Sequence, residues 1–252
     1  MSHREIITKG DLPHWYMPGA AHFVTYRLAD TLPAEVLKRL RAEREARLGQ
    51  PPLPGVSRWK QKAQAHKQFF AAYDRYLDQA SSVRWLENPA VAEIIIGNLY
   101  HHHQVKYQLL EYSVMPNHVH VLFVPIIADA GSISHVADAV SVRIQPLASN
   151  QSDLDYFSDE VTETQSPLSK IMHSLKSYTA NEANKELSRD GRFWQRESYD
   201  HWVRDDAELA RIAEYIANNA VSAKLAENAW DWPYCSAHDR KHPRDKPLTE
   251  WW

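Results

Sequence analysis

The stretch Tyr112-Ser-Val-Met-Pro-Asn-His-Val-His-Val-Leu-Phe-Val124 constrains the fold more than any other part of this chain. Met115-Pro116-Asn117 has the composition of a tight turn, because proline fixes its own φ and asparagine tolerates turn geometry. The alternation that follows predicts a strand whose side chains point to opposite faces with a period of two. One face then carries His118, His120 and Leu122, and the other face is apolar.

The His118 and His120 pair has the spacing of half a metal site. On a strand, the Cβ atoms of residues i and i+2 lie roughly 6 to 7 Å apart, so two imidazoles can lean onto one divalent ion and leave room for other ligands. The alternative is two solvated side chains on a half-exposed strand. The preceding turn favours the metal hypothesis, because it places the pair at the start of a strand, where a substrate can arrive.

Further strands and helices are predicted around this stretch. Residues 22–28 and 106–114 alternate and are rich in β-branched and aromatic side chains, which indicates two more strands. We expect the second of them to form an antiparallel hairpin with the histidine strand. Helical patterns occupy about 33–48, 59–77, 89–100, 167–187 and 205–225, the last with a break near Asn218. The three histidines at 101–103 cannot share one helix face and are interpreted as a solvated helix end.

Charge is unevenly distributed along the chain, although the formal net charge is only −3. Residues 126–166 carry seven acidic side chains and one basic side chain, a local charge of −6. Residues 38–67 carry nine Lys or Arg against two Glu, which suits a nucleic-acid-binding face, although a solvated helix face has the same pattern. We predict a single domain over residues 1–252, with a basic helical insertion at about 33–88 and an acidic flexible insertion at about 128–166.

Composition bounds the class of protein. The chain of 252 residues is 44% apolar, which is ample for a core. No apolar run approaches the ~18 residues that a membrane helix needs, and the first residues lack the apolar centre of a signal peptide. We therefore expect a soluble, cytoplasmic protein. The single cysteine, Cys235, excludes intramolecular disulfides and cysteine-based zinc knuckles.

A late helix offers a third metal ligand and a nucleophile. Tyr215 and Asn219 are four residues apart, so they share a helix face. An amide oxygen of Asn219 could complete a site with the histidine pair and hold Tyr215 about one helical turn from the metal. A nearby cation stabilises the phenolate, which is otherwise scarce because the reference pKa of tyrosine is about 10, and it polarises the phosphate under attack. The alternative is that Tyr215 is a packed aromatic residue.

These motifs resemble those of a known family. Val114-Met-Pro-Asn-His-Val-His-Val-Leu-Phe123 is similar to the histidine strand of the single-tyrosine HUH transposases of bacterial insertion sequences. Three later runs resemble the REP-associated tyrosine transposase branch, namely residues 193–204, 215–221 and 232–236. The similarity extends over about residues 19–236. Ala220 stands where relatives commonly have proline and Lys224 where they tend to have glycine, and neither change removes a proposed catalytic group.

The resemblance implies a ferredoxin-like α+β fold, in which an antiparallel sheet carries the histidine pair and helices pack on one face. It also implies that His118, His120 and Asn219 bind Mg²⁺ or Mn²⁺ and that Tyr215 attacks a phosphodiester of single-stranded DNA. A 5′-phosphotyrosine then forms and a 3′-hydroxyl leaves, so that rejoining needs no ATP. The implied partner is single-stranded or hairpin-forming DNA, bound by a monomer or homodimer at the nucleoid of a bacterium.

Further side chains are candidates for DNA contacts. Lys176, Arg192 and Arg204 could bind phosphates, and Trp194 or Trp202 could stack on an unpaired base, since every base has a π-face. Ordinary surface or core packing explains each of these five residues equally well.

Three alternatives remain open at the level of sequence. Tyr178 is a competing nucleophile, with the carboxylate of Glu182 four positions after it. It ranks second to Tyr215 because its helix precedes the aromatic segment at 191–204. A domesticated protein that binds DNA hairpins without cleaving them is a second possibility, but it has no physical need for the intact His118, His120, Tyr215 and Asn219 set. A zinc-dependent hydrolase is the third, and it would need another ligand, for which His201 is the candidate.

Overall fold

A computed structural model of the protein describes residues 6–9, 13–79, 82–126 and 166–244. The strands are β1 (Ile6–Lys9), β2 (Pro13–Tyr16), β3 (His22–Arg27), β4 (Tyr107–Val114), β5 (His118–Pro125) and β6 (Tyr199–Trp202). The helices are α1 (Ala34–Gly49), α2 (Arg58–Gln79), α3 (Pro89–His101), α4 (Pro167–Glu186), α5 (Asp206–Ala217), α6 (Asn219–Ser222) and α7 (Ser236–Lys241).

The central sheet has four antiparallel strands in the order β4, β5, β3, β6. Helices α3 and α4 connect these strands, which gives the β-α-β-β-α-β succession of a ferredoxin-like fold. Strands β4 and β5 form the expected hairpin around the turn at Met115, with Val114 opposite Val119. The α+β prediction is therefore confirmed, and β1 and β2 form a separate two-stranded sheet.

One face of the sheet packs against α3 and α4. Helix α3 begins as the sequence indicates, because the Asn88 side chain accepts a hydrogen bond from the Ala90 amide at 2.9 Å and Pro89 occupies the first turn. The core on this face is apolar and includes Val24, Tyr26, Val119, Val121, Phe123, Ile95, Leu99, Ile171 and Leu175. This is the helix layer that the resemblance implies.

A second helix layer, formed by α1, α2 and α5, covers the opposite face of the sheet. Phe23 and Leu122 from the sheet pack there with Phe69 of α2 and Ile216 of α5. The histidine side of β5 is consequently buried under helices, whereas the sequence predicts a pair at the start of a strand where a substrate can arrive. The elements α1 and α2 fall within the predicted basic helical insertion.

The histidine run that follows α3 is not simply solvated. His102 is 8% exposed and faces the Ser174 hydroxyl at 3.2 Å, while His103 Nδ1 accepts a hydrogen bond from the Leu109 amide at 3.0 Å. The interpretation of a solvated helix end is therefore wrong for these two residues, because the chain folds them back against α4 and β4.

The remaining sequence predictions about segments have mixed outcomes. The acidic insertion at about 128–166 lies outside the described residues, apart from Ser166. The predicted break near Asn218 is confirmed, since α5 ends at Ala217 and α6 begins at Asn219. Within the described residues, none of the helices has the length and apolar character required to cross a membrane.

Candidate metal centre and active site

Strand β5 brings the His118 and His120 rings side by side on the face covered by α2 and α5. Their Nε2 atoms lie 3.0 Å apart, and the two residues are 1% and 0% exposed. Burial, together with the neighbouring His120, lowers the pKa of His118 to about 3. A neutral imidazole with a lone pair is the form that binds a metal ion. The predicted half-site is thus assembled, but in the interior of the molecule.

Asp74 of α2 completes a compact group with the two histidines. Its Oδ1 atom lies 3.3 Å from His120 Nε2 and 3.9 Å from His118 Nε2. One ligand atom from each of the three residues falls within 4.8 Å of the others, and no other group of three His, Cys, Asp or Glu side chains in the described ranges lies close enough together to hold a metal. Two imidazoles and a carboxylate are a common donor set for divalent ions.

The Asp74 carboxyl is 6% exposed, yet it is held in its charged form. Burial opposes ionisation, but the interactions with His120 and His118 outweigh it and lower the pKa of Asp74 to about 2. Oδ1 accepts no hydrogen bond from the described residues. A buried carboxylate oxygen without a hydrogen-bond partner, beside the Nε2 atoms of two histidines, is suited to a cation, so the residues present fit a divalent metal.

Tyr215 reaches the same group from α5. Its hydroxyl donates a hydrogen bond to Asp74 Oδ2, and its ring centroid lies 5.5 Å from that of His120. Burial, followed by the charge of Asp74, raises the pKa of Tyr215 far above its usual range. The tyrosine is therefore neutral in this arrangement, with its proton directed at a carboxylate.

Asn219 lies against the proposed nucleophile. Its Nδ2 donates to the Tyr215 hydroxyl at 3.2 Å, although the helix breaks between the two residues. The side chain is buried, and its Oδ1 has no hydrogen-bond partner in the described part of the chain. The structure thus brings Asn219 to Tyr215, as the four-residue spacing predicts, and leaves one amide oxygen available for a further ligand.

Aromatic rings surround these polar groups. The Phe70 ring stacks on Tyr199 with centroids 4.5 Å apart and meets the Tyr215 ring edge-on at 6.0 Å. Phe23 stacks on His120 at 5.7 Å. This apolar wall excludes water, so that electrostatic interactions between charges inside it are stronger than in solvent.

Asp74 is the functional candidate that the sequence analysis missed. It lies in the basic helical insertion predicted at about 33–88, for which the sequence pattern indicated no catalytic or metal-binding residue. A usable signal was present, because Asp74 lies four residues after Phe70 and three before Leu77 and so shares a helix face with two apolar side chains. A carboxylate within the apolar stripe of a helix is costly to bury unless it has a partner.

The competing nucleophile and the candidate zinc ligand both lie away from the Asp74, His118 and His120 group. Tyr178 lies on α4, which packs on the opposite face of the sheet from the histidine pair. His201 Nε2 lies 3.2 Å from Glu208 Oε1 and is outside the Asp74, His118 and His120 group. The structure therefore brings neither residue to the candidate metal centre.

The five candidate DNA contacts differ in accessibility. Lys176 and Arg192 line a groove of about 440 Å³ between α4 and residues 191–200. Trp194 is 5% exposed and donates to the Thr179 hydroxyl at 2.9 Å, and Trp202 is 8% exposed. Arg204 pairs with Glu208 at 2.8 Å. Packing is thus the role that the structure displays for the two tryptophans, because neither ring presents a free face.

Comparison with known proteins gives two matches. No protein-family model matches the chain. A curated Haemophilus influenzae protein named "Putative REP-associated tyrosine transposase" is 40% identical over 55 residues, which cover 22% of this chain and 31% of the relative. A solved structure of a REP-associated tyrosine transposase bound to a REP hairpin aligns with 96% of this chain and 90% of that chain, at 12% identity and a TM-score of 0.48. The curated match confirms the resemblance to REP-associated tyrosine transposases that the sequence motifs predict.

Proposed function

We propose that this protein is a metal-dependent endonuclease and strand transferase for single-stranded DNA, with Tyr215 as its nucleophile. The observation that carries the proposal is the convergence of Asp74, His118 and His120 on one point, with the Tyr215 hydroxyl donating to Asp74. A structural core has no need for this set, because an apolar replacement would remove buried charge at little cost.

The proposed metal ligands are His118 Nε2, His120 Nε2 and Asp74 Oδ1, with Asn219 Oδ1 as a further donor. Oxygen and imidazole donors suit Mg²⁺ or Mn²⁺. A bound divalent ion would polarise the scissile phosphodiester and lower the cost of a phenolate beside it. His118, His120 and Asn219 are the ligands that the resemblance implies, and Asp74 is an additional proposed ligand.

The hydrogen bond between Tyr215 and Asp74 defines the proton transfer. As the phenolic oxygen of Tyr215 forms its bond to phosphorus, Asp74 Oδ2 takes the phenolic proton. The bond from phosphorus to the 3′ oxygen breaks, and that oxygen leaves as a hydroxyl after receiving a proton from Asp74. The 5′-phosphotyrosine conserves the phosphodiester bond energy for rejoining.

Access to this centre requires a change in packing. His118, His120, Asp74 and Asn219 are all less than 9% exposed. A phosphodiester therefore reaches them only when α2 or α5 moves away from the sheet. The exposed basic side chains of the α1 and α2 hairpin are suited to hold DNA near this opening, among them Lys38, Arg58, Lys60 and Lys67.

The same closure supports one alternative, a domesticated protein that binds DNA hairpins without cleaving them. In this structure the nucleophile is partly buried, and its hydroxyl donates a hydrogen bond to Asp74. A binding protein could keep this arrangement permanently shut. The two functions differ in one product, the covalent adduct.

The test is incubation with Mn²⁺ and labelled single-stranded hairpin oligonucleotides, followed by denaturing gels. The name of the Haemophilus influenzae relative makes REP sequences the first DNA to use. We expect a denaturation-resistant adduct in the wild type and in Tyr178→Phe, and its loss in Tyr215→Phe. Shifted but uncut DNA across a broad hairpin set would favour the binding function, and an adduct lost only in Tyr178→Phe would refute Tyr215 as the nucleophile.

A further inference from the structure

We infer that Asn117 is a positioning residue for the candidate metal centre, because its side chain orients His118 and at the same time fixes the end of α2, the helix that carries Asp74. The inference rests on the proposed function and concerns a residue that the resemblance uses only as part of the turn motif.

The two ends of the Asn117 amide have different partners. Nδ2 donates to the backbone carbonyl of Leu77 at 2.8 Å, and Oδ1 lies 2.6 Å from His118 Nδ1. A backbone carbonyl only accepts hydrogen bonds, so the amide nitrogen must face Leu77 and the amide oxygen must face His118. The orientation of the amide is therefore determined by the network itself.

This orientation selects one tautomer of His118. Since Asn117 Oδ1 is an acceptor, His118 Nδ1 must carry the hydrogen, and His118 Nε2 is left with a lone pair. Nε2 is the atom that lies near His120 Nε2 and Asp74 Oδ1. A metal-binding histidine whose other ring nitrogen donates to a fixed acceptor has its ring orientation set before the ion arrives.

The second bond acts on α2. The helix ends at Gln79, so the Leu77 carbonyl is one of the last four, which have no partner within the helix. The Asn117 amide provides that partner from the start of β5. Asp74 lies one helical turn before Leu77, so this bond fixes the position of Asp74 relative to the histidine pair.

His120 has a less restrictive partner. Its Nδ1 lies 2.7 Å from the Thr25 hydroxyl, which can either donate or accept. Thr25 therefore does not select a tautomer, whereas Asn117 does. Of the two histidines, His118 is the one that the surrounding protein sets in its metal-binding form.

The experiment measures Mn²⁺ affinity without DNA, by titration of the free-ion electron paramagnetic resonance signal. We expect Asn117→Ala to lower the affinity by about 10- to 100-fold, the range found for residues that orient metal ligands. Asn117→Asp keeps an acceptor for His118 Nδ1 and loses the donor to Leu77, so its affinity should lie between those of Asn117→Ala and the wild type. Should Asn117→Ala fail to fold, Asn117→Ser, which is too short for both bonds, replaces it.

Asn98→Ala is the matched control, because Asn98 is a buried asparagine on α3, on the other side of the sheet. Wild-type affinity in a folded Asn117→Ala, or an equal loss in Asn98→Ala, would overturn the inference and leave the proposed function standing. A different result is that the Mn²⁺ affinities of the wild type and the Asn117 variants follow the expected order while the wild type forms no covalent adduct with DNA. That result would refute cleavage and leave the inference about Asn117 standing. A wild type that binds no Mn²⁺ would refute both.

Discussion

The two faces of β5 show how one strand serves two purposes. On one face, Val119, Val121 and Phe123 are fully buried against α3 and α4, and the surrounding core is apolar. On the other, His118 and His120 are buried to the same extent but face the Asp74 carboxylate, which accepts a hydrogen bond from Tyr215. Equal burial thus accompanies two kinds of chemistry, and the helix packed on each face makes the difference.

A histidine on the apolar side sharpens this comparison. His22 of β3 points to the same side as Val24, and both of its ring nitrogens have protein partners. Nδ1 donates to the Ala20 carbonyl at 2.9 Å, and Nε2 accepts from the Met17 amide at 3.2 Å. His22 is a structural histidine because its hydrogen bonds are complete. The Nε2 atoms of His118 and His120 instead face Asp74 Oδ1, which accepts no hydrogen bond from the described residues.

The largest effect is expected from Asp74→Asn, which removes the proton acceptor and one proposed ligand while keeping the size of the side chain. We expect the yield of covalent adduct to fall by about 10²-fold or more, in the range for loss of a general base. Denaturing gels with Mn²⁺ and hairpin DNA measure it. Asp78→Asn, one turn further along α2, is the control, and an equal loss there would place the effect in α2 as a whole rather than in Asp74.

Mn²⁺ should stabilise the protein against unfolding only when His118 and His120 are both present. At a Mn²⁺ concentration 100 times the dissociation constant, the free energy of unfolding should rise by about 2.7 kcal/mol. Chemical denaturation with and without Mn²⁺ checks this value in the wild type. His120→Ala should lose the increment, and an increment that survives in this variant would show that Mn²⁺ binds elsewhere.

The structural histidine on the apolar side predicts a pH effect. Burial lowers the pKa of His22 to about 4, below the value of roughly 6.5 for an unfolded chain. Its contribution is therefore complete above about pH 6.5 and is lost as the pH falls towards 4, by an amount on the order of 3 kcal/mol. Urea unfolding at several pH values should show a shallower decline in His22→Gln than in the wild type. Parallel curves would contradict the assignment.

The smallest effect should come from a change in the apolar core. Ile95→Val removes one methylene group from a fully buried side chain of α3 and should cost about 0.5 to 1.5 kcal/mol of unfolding free energy. The Mn²⁺ affinity should stay within experimental error of the wild type. Altered affinity in this variant would mean that the two faces of the sheet are coupled more tightly than their separate cores indicate.

Local sequence was sufficient for several elements. The alternation after Pro116 predicted β5 and placed the two histidines on one face, Asn88-Pro89 predicted the start of α3, and the four-residue spacing of Tyr215 and Asn219 predicted their contact. Each of these depends on residues close together in the chain, for which the backbone period and the capping geometry decide which side chains meet.

Tertiary packing decided the rest. Asp74 joins the histidines because the aromatic side of α2 packs over β5, and the position of Asp74 on its helix does not specify which strand that helix covers. The tautomer of His118 depends on the Leu77 carbonyl, because that carbonyl orients the Asn117 amide. Trp194 is held in the interior by its hydrogen bond to the Thr179 hydroxyl. These contacts join segments far apart in the chain, so they follow from how helices cover a sheet and not from the period of any one element.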